Sequence, residues 1–205
     1  MSIYASFLKR SFDIIFSLVG LFFFGWLIFL AALLATLDTG LNGFFMQTRV
    51  GKEGKRFKVI KIRTMRPVDD IVSTVTAEDD ARITALGRIL RKAKIDELPQ
   101  LLNVFVGHMS FVGPRPDMPG FADKLEGDDK VILSIRPGIT GPATLYYRDE
   151  EALLASVDNP EDYNRDVIFP EKIRMNRDYV NNYSFWLDIK YILQTIFGFL
   201  FREKA

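Results

Sequence analysis

The chain has 205 residues, 27 Lys and Arg against 26 Asp and Glu, a net charge of +1, no cysteine and one histidine. Its length suits one sizeable core rather than two. Without cysteine there are no disulfides, thiolate nucleophiles or thiolate metal sites, and His108 alone cannot make a histidine-cluster metal centre. It reads as a structural residue or one with a local role beside a site.

The near-neutral total conceals segregated charge. Residues 49–66 carry eight Lys or Arg and the single acid Glu53, whereas acids gather at Asp69-Asp70, Glu78-Asp79-Asp80 and Asp149-Glu150-Glu151. Local field therefore says more about partners than the total.

Between residues 14 and 35 only Ser17 is clearly polar. At about 1.5 Å per residue this run matches a hydrocarbon layer of roughly 30 Å. Both flanks are basic, with Lys9 and Arg10 before it and Arg49, Lys52, Lys55 and Arg56 after it. A simple span would put one basic flank on the disfavoured side, so the pattern favours a helix that enters and returns to the same leaflet. Gly20 and Gly25 permit the bend that re-entry needs but do not compel it. An ordinary anchor and a cleaved signal peptide are the alternatives; the second fits poorly with so long an apolar core and a basic, cysteine-free remainder.

Residues 44–50 and 56–62 alternate as two strands joined through Gly51-Lys52-Glu53-Gly54-Lys55, which predicts a β-hairpin. Its cations suit a lipid phosphate or a nucleotide diphosphate, or equally a solvated edge that discourages strand pairing. Residues 67–80 are polar and acidic and read as a loop. Residues 81–94 have helical spacing at Ile83, Leu86, Ile89 and Leu90. Next come the adjacent carboxylates Asp96-Glu97, directly after Arg88, Arg91, Lys92 and Lys94. Asp96 is placed to cap or begin a following helix, with Pro99 in its first turn. Gly113-Pro114-Arg115-Pro116 and Arg136-Pro137-Gly138-Ile139-Thr140-Gly141 read as rigid irregular stretches. Each would hold a guanidinium in a fixed place, as bidentate phosphate recognition requires, or else bind backbone carbonyls. From Phe185 to Leu200 an aromatic-rich segment reads as a helix in the membrane interface, or a buried core helix. There is no GxGxxG, Walker loop or internal repeat, and no nucleic-acid reader module.

Several segments match one family at once: Lys9-Arg10 with Asp13, Gln47-x-Arg49-x-Gly51, Phe57-x-x-x-Lys61-x-Arg63-Thr64-Met65 and Arg82-x-Thr84-x-x-Gly87-x-x-x-Arg91. Further along are Asp96-Glu97-Leu98-Pro99-Gln100-Leu101-x-Asn103-Val104, Met109 to Pro116, Arg136 to Gly141 and Asn182-x-Ser184-x-x-x-Asp188. Over nearly the whole chain this set closely resembles the bacterial sugar transferases, the small monotopic phosphoglycosyl transferases acting on polyprenyl phosphate.

The resemblance implies a mixed α/β, compact, helix-rich domain with a small β-hairpin, a re-entrant membrane helix in residues 1–40, and a catalytic domain in 41–205 with interfacial amphipathic helices. It places the enzyme at the cytoplasmic face of a bacterial inner membrane. There it would move a phosphosugar from a UDP-sugar to polyprenyl (undecaprenyl) phosphate, releasing UMP, as the first membrane step of a surface glycan. Asp96 is implied as the nucleophile, and Glu97 as a Mg²⁺ ligand that also assists the lipid phosphate, with Asp96 beside it at the metal. Arg115, Arg136, Arg91 and Lys61 are the candidate phosphate-binding cations. Membrane lipid is an expected partner, nucleic acid is not, and a homodimer is compatible. Direct transfer without a covalent intermediate, and a non-catalytic scaffold binding anionic lipid, are the rival readings.

Three positions depart from the family pattern. Gly25-Trp26 stands where Ser-Pro is common at the membrane break, His108 where Gly-Asp-Met-Ser has its acid, and Pro142-Ala143-Thr144 where aromatic-Ala-Gln is usual. The last points to different sugar contacts without assigning a sugar.

Overall fold

A computed structural model describes residues 2–67 and 80–198. Most of the expected 67–80 loop and the last residues of the 185–200 segment lie outside them.

Helix α1, Ile3–Thr39, opens with the Ser2 side chain accepting from the Ala5 N–H and closes on Gly40 at φ 71°. It runs uninterrupted through Gly20 and Gly25 for 37 residues, about 55 Å. It is the long apolar, membrane-associated N-terminal helix expected from the sequence. Its buried residues, Lys9, Asp13, Ser17, Ile28, Ala31, Ala32 and Ala35, share one face, as a period of 3.6 requires. The alanines leave room for close packing on β2 and α2. A Cβ on Gly43 would lie 1.9 Å from the Ala32 carbonyl oxygen, so only glycine fits where the chain leaves the helix.

Strands β1 (Phe44–Val50) and β2 (Arg56–Ile62) pair antiparallel from Phe44↔Ile62 to Val50↔Arg56, the hairpin read from the sequence. Gly54 at φ 73° turns the chain between them, but the other positive φ falls on Glu53, not Gly51. Helix α2 (Ala85–Lys92) is shorter than the periodicity suggested because Thr84 accepts from the Gly87 N–H at 2.8 Å and sets its start. Helix α3 (Gln100–Val106) begins after Pro99. Asp96 therefore does not cap it: the carboxylates occupy a separate 3-10 turn, Ile95–Glu97.

The stretch Gly113 to Pro116 is irregular, as read from the sequence, whereas Arg136 to Gly141 is more regular than expected and contains a strand. Strands β3 (Ser110–Val112) and β4 (Gly138–Thr140) form a short parallel ladder. The backbones approach so closely that a Cβ on Gly138 would stand 2.1 Å from the Gly113 nitrogen. Beyond β4 come α4 (Pro142–Tyr146), α5 (Glu150–Ala155), α6 (Pro160–Tyr163), α7 (Phe169–Asn181) and α8 (Phe185–Ile196). Helix α8 is amphipathic: Leu187, Tyr191 and Ile192 pack on the core beside Val112 and Tyr179, while Trp186, Leu193 and Ile196 are exposed.

A buried polar joint fastens α1 to this body. Lys9 Nζ meets Asp188 Oδ2 at 2.6 Å, and the Tyr179 and Tyr183 hydroxyls donate to the same carboxylate. Asp13 Oδ1 accepts from the Ser110 hydroxyl and the Phe111 N–H, both at 3.0 Å. The family-pattern residues Lys9, Asp13 and Asp188 are thus structural ties, each buried charge having the partners burial demands.

Candidate active site

The site begins in a strained turn. Helix α2 ends at Lys92, and Lys94 takes a left-handed conformation at φ 56°. For a side chain larger than glycine's this costs on the order of 1 kcal/mol. The reversal swings Asp96-Glu97 towards β2 and the β3 exit.

Glu97 Oε1 receives Lys61 Nζ at 2.9 Å from β2 and Arg115 Nη2 at 2.8 Å from the stretch after β3. Burial alone would raise the Glu97 carboxyl, but the Arg115 and Lys61 charges outweigh it and hold it well below the usual range. Glu97 in turn raises Arg115. Desolvation pulls Lys61 down, against the Glu97 charge that pushes it up. The position of Lys61 depends on Asn103 of α3, which accepts from the Ile60 N–H at 3.0 Å and donates to the Lys58 carbonyl at 2.8 Å.

Asp96 behaves oppositely. It is 6% exposed, and its buried Oδ1 has no hydrogen-bond partner. Burial, then the neighbouring Glu97 charge, raise its pKa; Lys61, Arg91 and Lys94 counteract in part. One carboxylate is neutralised by two cations while its neighbour is desolvated and uncommitted, a division that separates an electrostatic role from a reactive one.

Of the four candidate phosphate cations, Lys61 and Arg115 converge on Glu97. Arg91 lies near enough to act on Asp96 and pairs with Glu151 of α5. Arg136 is engaged elsewhere, its Nε donating to the Gly107 carbonyl at 2.8 Å. Beside it Arg10 donates to the Val104 and Phe105 carbonyls at 2.7 and 2.8 Å, so the two arginines close the C-terminus of α3. His108 is exposed and sits by the Phe57 ring at 5.7 Å.

The structure adds residues absent from that candidate set. Arg49 reaches Gln47 Oε1 through Nε and Nη2 and the Pro116 carbonyl through Nη1. Burial and the nearby Arg115 lower it to about 10. Burial pushes the half-buried Asp117 carboxyl up to about 6 against the pull of Lys172, Arg49 and Arg115. Lys172 is held at 2.7 Å by both Glu150 carboxylate oxygens. The clue to Arg49 was its match to the family pattern; Asp117 directly follows the Pro114-Arg115-Pro116 clamp. Glu150 stood out only as part of the acidic cluster 149–151, and nothing local marked Lys172; they lie 33 and 55 positions beyond Asp117.

Among the described residues no three His, Asp or Glu converge as a metal cage. A partnerless Asp96 oxygen beside Glu97 does fit Mg²⁺, which takes one or two protein carboxylates and completes its shell with water and substrate phosphates.

Desolvated and cation-bound carboxylates, phosphate-matching guanidinium groups and a long apolar helix define a membrane-associated domain equipped for phosphate chemistry. The bacterial sugar transferase family model matches residues 4–202. An exopolysaccharide production protein, PSS, from Rhizobium leguminosarum bv. phaseoli is 38% identical, covering 97% of this chain and 98% of its own. A UDP-glucose:undecaprenyl-phosphate glucose-1-phosphate transferase from Caulobacter vibrioides is 35% identical over 96% of this chain and 71% of its own. A UDP-N-acetylgalactosamine-undecaprenyl-phosphate N-acetylgalactosaminephosphotransferase from Aeromonas hydrophila is 33% identical over 95% of this chain, which spans only 44% of that longer protein. The chain belongs to the bacterial sugar transferase family.

Proposed function

We propose that this enzyme transfers a phosphosugar from a UDP-sugar to polyprenyl phosphate, with Asp96 as a covalent nucleophile. The observation that carries the reading is the contrast between Asp96, buried with a free oxygen, and Glu97, tied to Lys61 and Arg115. The names of the relatives, two of them undecaprenyl-phosphate sugar-phosphate transferases, support the substrate classes.

In this mechanism an Asp96 carboxylate oxygen attacks the sugar-proximal phosphorus. The bond between that phosphorus and the bridging oxygen breaks, the electron pair leaves with UMP, and an acyl phosphate (mixed anhydride) joining Asp96 to the phosphosugar remains. An oxygen of polyprenyl phosphate then attacks the same phosphorus. The aspartate–phosphorus bond breaks, and lipid diphosphosugar and free carboxylate result. Removal from water makes Asp96 a stronger nucleophile once ionised, and the surrounding cations keep the ionised form accessible. Arg115 and Lys61 counter charge on the diphosphate at a place fixed by Glu97. Asp96 and Glu97 would hold Mg²⁺, which when bound neutralises developing phosphate charge. The cytoplasmic inner-membrane face is the expected location, where UDP-sugars are available.

Intact-mass analysis after incubation with a panel of UDP-sugars, without lipid acceptor, tests the reading. A phosphosugar adduct with stoichiometric UMP is the expected result. Asp96→Asn should abolish the adduct and lower turnover at least about 1000-fold, as loss of a covalent nucleophile does. UMP appearing only when both substrates are present, with Asp96→Asn nearly as active, would instead establish direct transfer.

A further inference from the structure

Two arginines meet at the far end of α3, away from the Asp96 turn. Arg10, on α1, donates through Nη1 to the Val104 carbonyl and through Nη2 to the Phe105 carbonyl. Arg136, just before β4, donates through Nε to the Gly107 carbonyl. The Arg10 guanidinium also lies over Gly107, where an added Cβ would stand 3.1 Å from Nη2. Both cations are thus held around one residue. Three carbonyls at the negative end of a helix explain the placement, but they carry only a fraction of one charge against two. The cations are close enough that Arg136, after burial, lowers the Arg10 pKa. Asp13 offsets Arg10 in part, yet its Oδ1 is already bonded to the Ser110 hydroxyl and the Phe111 N–H. Among the described residues the terminal nitrogens of Arg136 have no hydrogen-bond or ion-pair partner.

The surroundings are apolar and open. Phe7 and Ile14 lie one turn to either side of Arg10 on α1, and Leu102, Phe105 and Val106 stand on α3; all five are more than a third exposed. Cations that emerge among exposed apolar side chains, one of them on a membrane-associated helix, match the level at which acyl chains give way to phosphates. A water-soluble anion would gain nothing from the apolar rim, and a second copy would bring the same two cations against these. The sequence has also removed the acid nearest the pair. His108, exposed and next to Gly107, stands where the family pattern has an aspartate, so one negative charge is missing at the edge of this cluster.

We propose that Arg10 and Arg136 bind the headgroup phosphate of an anionic phospholipid, whose acyl chains lie against the apolar rim, and that histidine at position 108 opens this site by removing a competing carboxylate. The site is separate from the reaction centre. Helix α3 starts three residues after Glu97 and ends at the two arginines, about 10 Å further on. A lipid held there ties the first turns of α1 and the end of α3 to the headgroup layer, and through α3 it fixes the height of the carboxylate turn. Only the beginning of α1 has to lie at the interface, whatever depth the rest of the helix reaches.

The test titrates the full chain in detergent with phosphatidylglycerol and, separately, with phosphatidylcholine, and counts bound lipid by native mass spectrometry. Two variants probe the site. His108→Asp returns a carboxylate beside the arginines at an exposed position, and Arg136→Gln removes one cation while keeping an N–H donor for the Gly107 carbonyl. The wild type is expected to retain phosphatidylglycerol in preference to phosphatidylcholine. Each variant should weaken phosphatidylglycerol binding about fivefold, the worth of one cation at an anionic headgroup, and leave phosphatidylcholine unchanged. Thermal unfolding is read alongside; if Arg136→Gln melts earlier than the wild type, His108→Asp alone decides. Equal retention of the two lipids, or a phosphatidylglycerol preference that survives His108→Asp, overturns the proposal and leaves the arginines as closure of α3. Displacement of the lipid by inorganic phosphate at a comparable concentration also overturns it, by assigning the pair to a free anion. No UDP-sugar is present, so the result stands independently of the transferase assay.

Discussion

Asp96, Glu97 and Asp117 are three carboxyls within a short reach of the same cations, yet burial and charge drive them apart. Glu97 lies below its ordinary value because Arg115 and Lys61 overcome the burial that would raise it, so its contribution to stability is present above about pH 4.5 and is lost as acid protonates it. Asp117 has the reverse sign. Its folded-state value, about 6, exceeds the ordinary 3.8, so its contribution is complete below about pH 4 and disappears as pH rises through 6. Discounted for partial solvent access, the difference is on the order of 1–2 kcal/mol. Asp117→Asn should therefore raise the melting temperature at pH 8 more than at pH 5. Thermal unfolding in detergent at the two pH values is the measurement, and equal shifts would contradict the assigned sign.

Among the elements, β2, α2 and α3 hold the site through backbone approach and one buried amide. A Cβ on Gly87 would fall 2.1 Å from the Thr64 carbonyl oxygen. Gly87→Ala should force α2 away from residue 64 and cost about 1–3 kcal/mol, measured as a lower denaturation midpoint. Asn103→Ala removes both side-chain bonds to β2 and leaves the Ile60 N–H and Lys58 carbonyl unmatched, a loss of about 2–4 kcal/mol. Because Lys61 follows Ile60 directly, that variant should also bind UDP-sugar more weakly, as read by titration calorimetry. The hairpin strands were legible beforehand because alternation and the intervening turn are local signals. The β3–β4 ladder was not: its bonds join residues more than 20 positions apart, and proline-glycine runs look irregular until the partner strand is present.

Across the molecule, the joint between α1 and α8 decides how the membrane helix and catalytic body move together. Lys9 and Asp188 are both buried, and Asp188 also receives two tyrosine hydroxyls. Lys9→Met leaves that carboxylate without its cation and should destabilise the fold by about 3–5 kcal/mol. Lys9→Met with Asp188→Asn should recover part of it, since the amide still accepts from a tyrosine. Chemical denaturation of the two variants checks this; a double variant as unstable as the single would show that the ion pair is not the main tie.

Composition, hydropathy and motif spacing were sufficient to predict the apolar N-terminal helix, the hairpin, the carboxylate pair and the family, because each is written in neighbouring residues or in residue types at short, regular intervals. Folding alone settled which cations meet Glu97, that Arg136 serves the end of α3, that Asp117 and Lys172 join the site, and that α1 is docked from Lys9 to Ala35. Those outcomes rest on Coulombic and packing contacts between distant parts of the chain, whose strengths depend on burial and separation and so exist only once the backbone has brought the partners together.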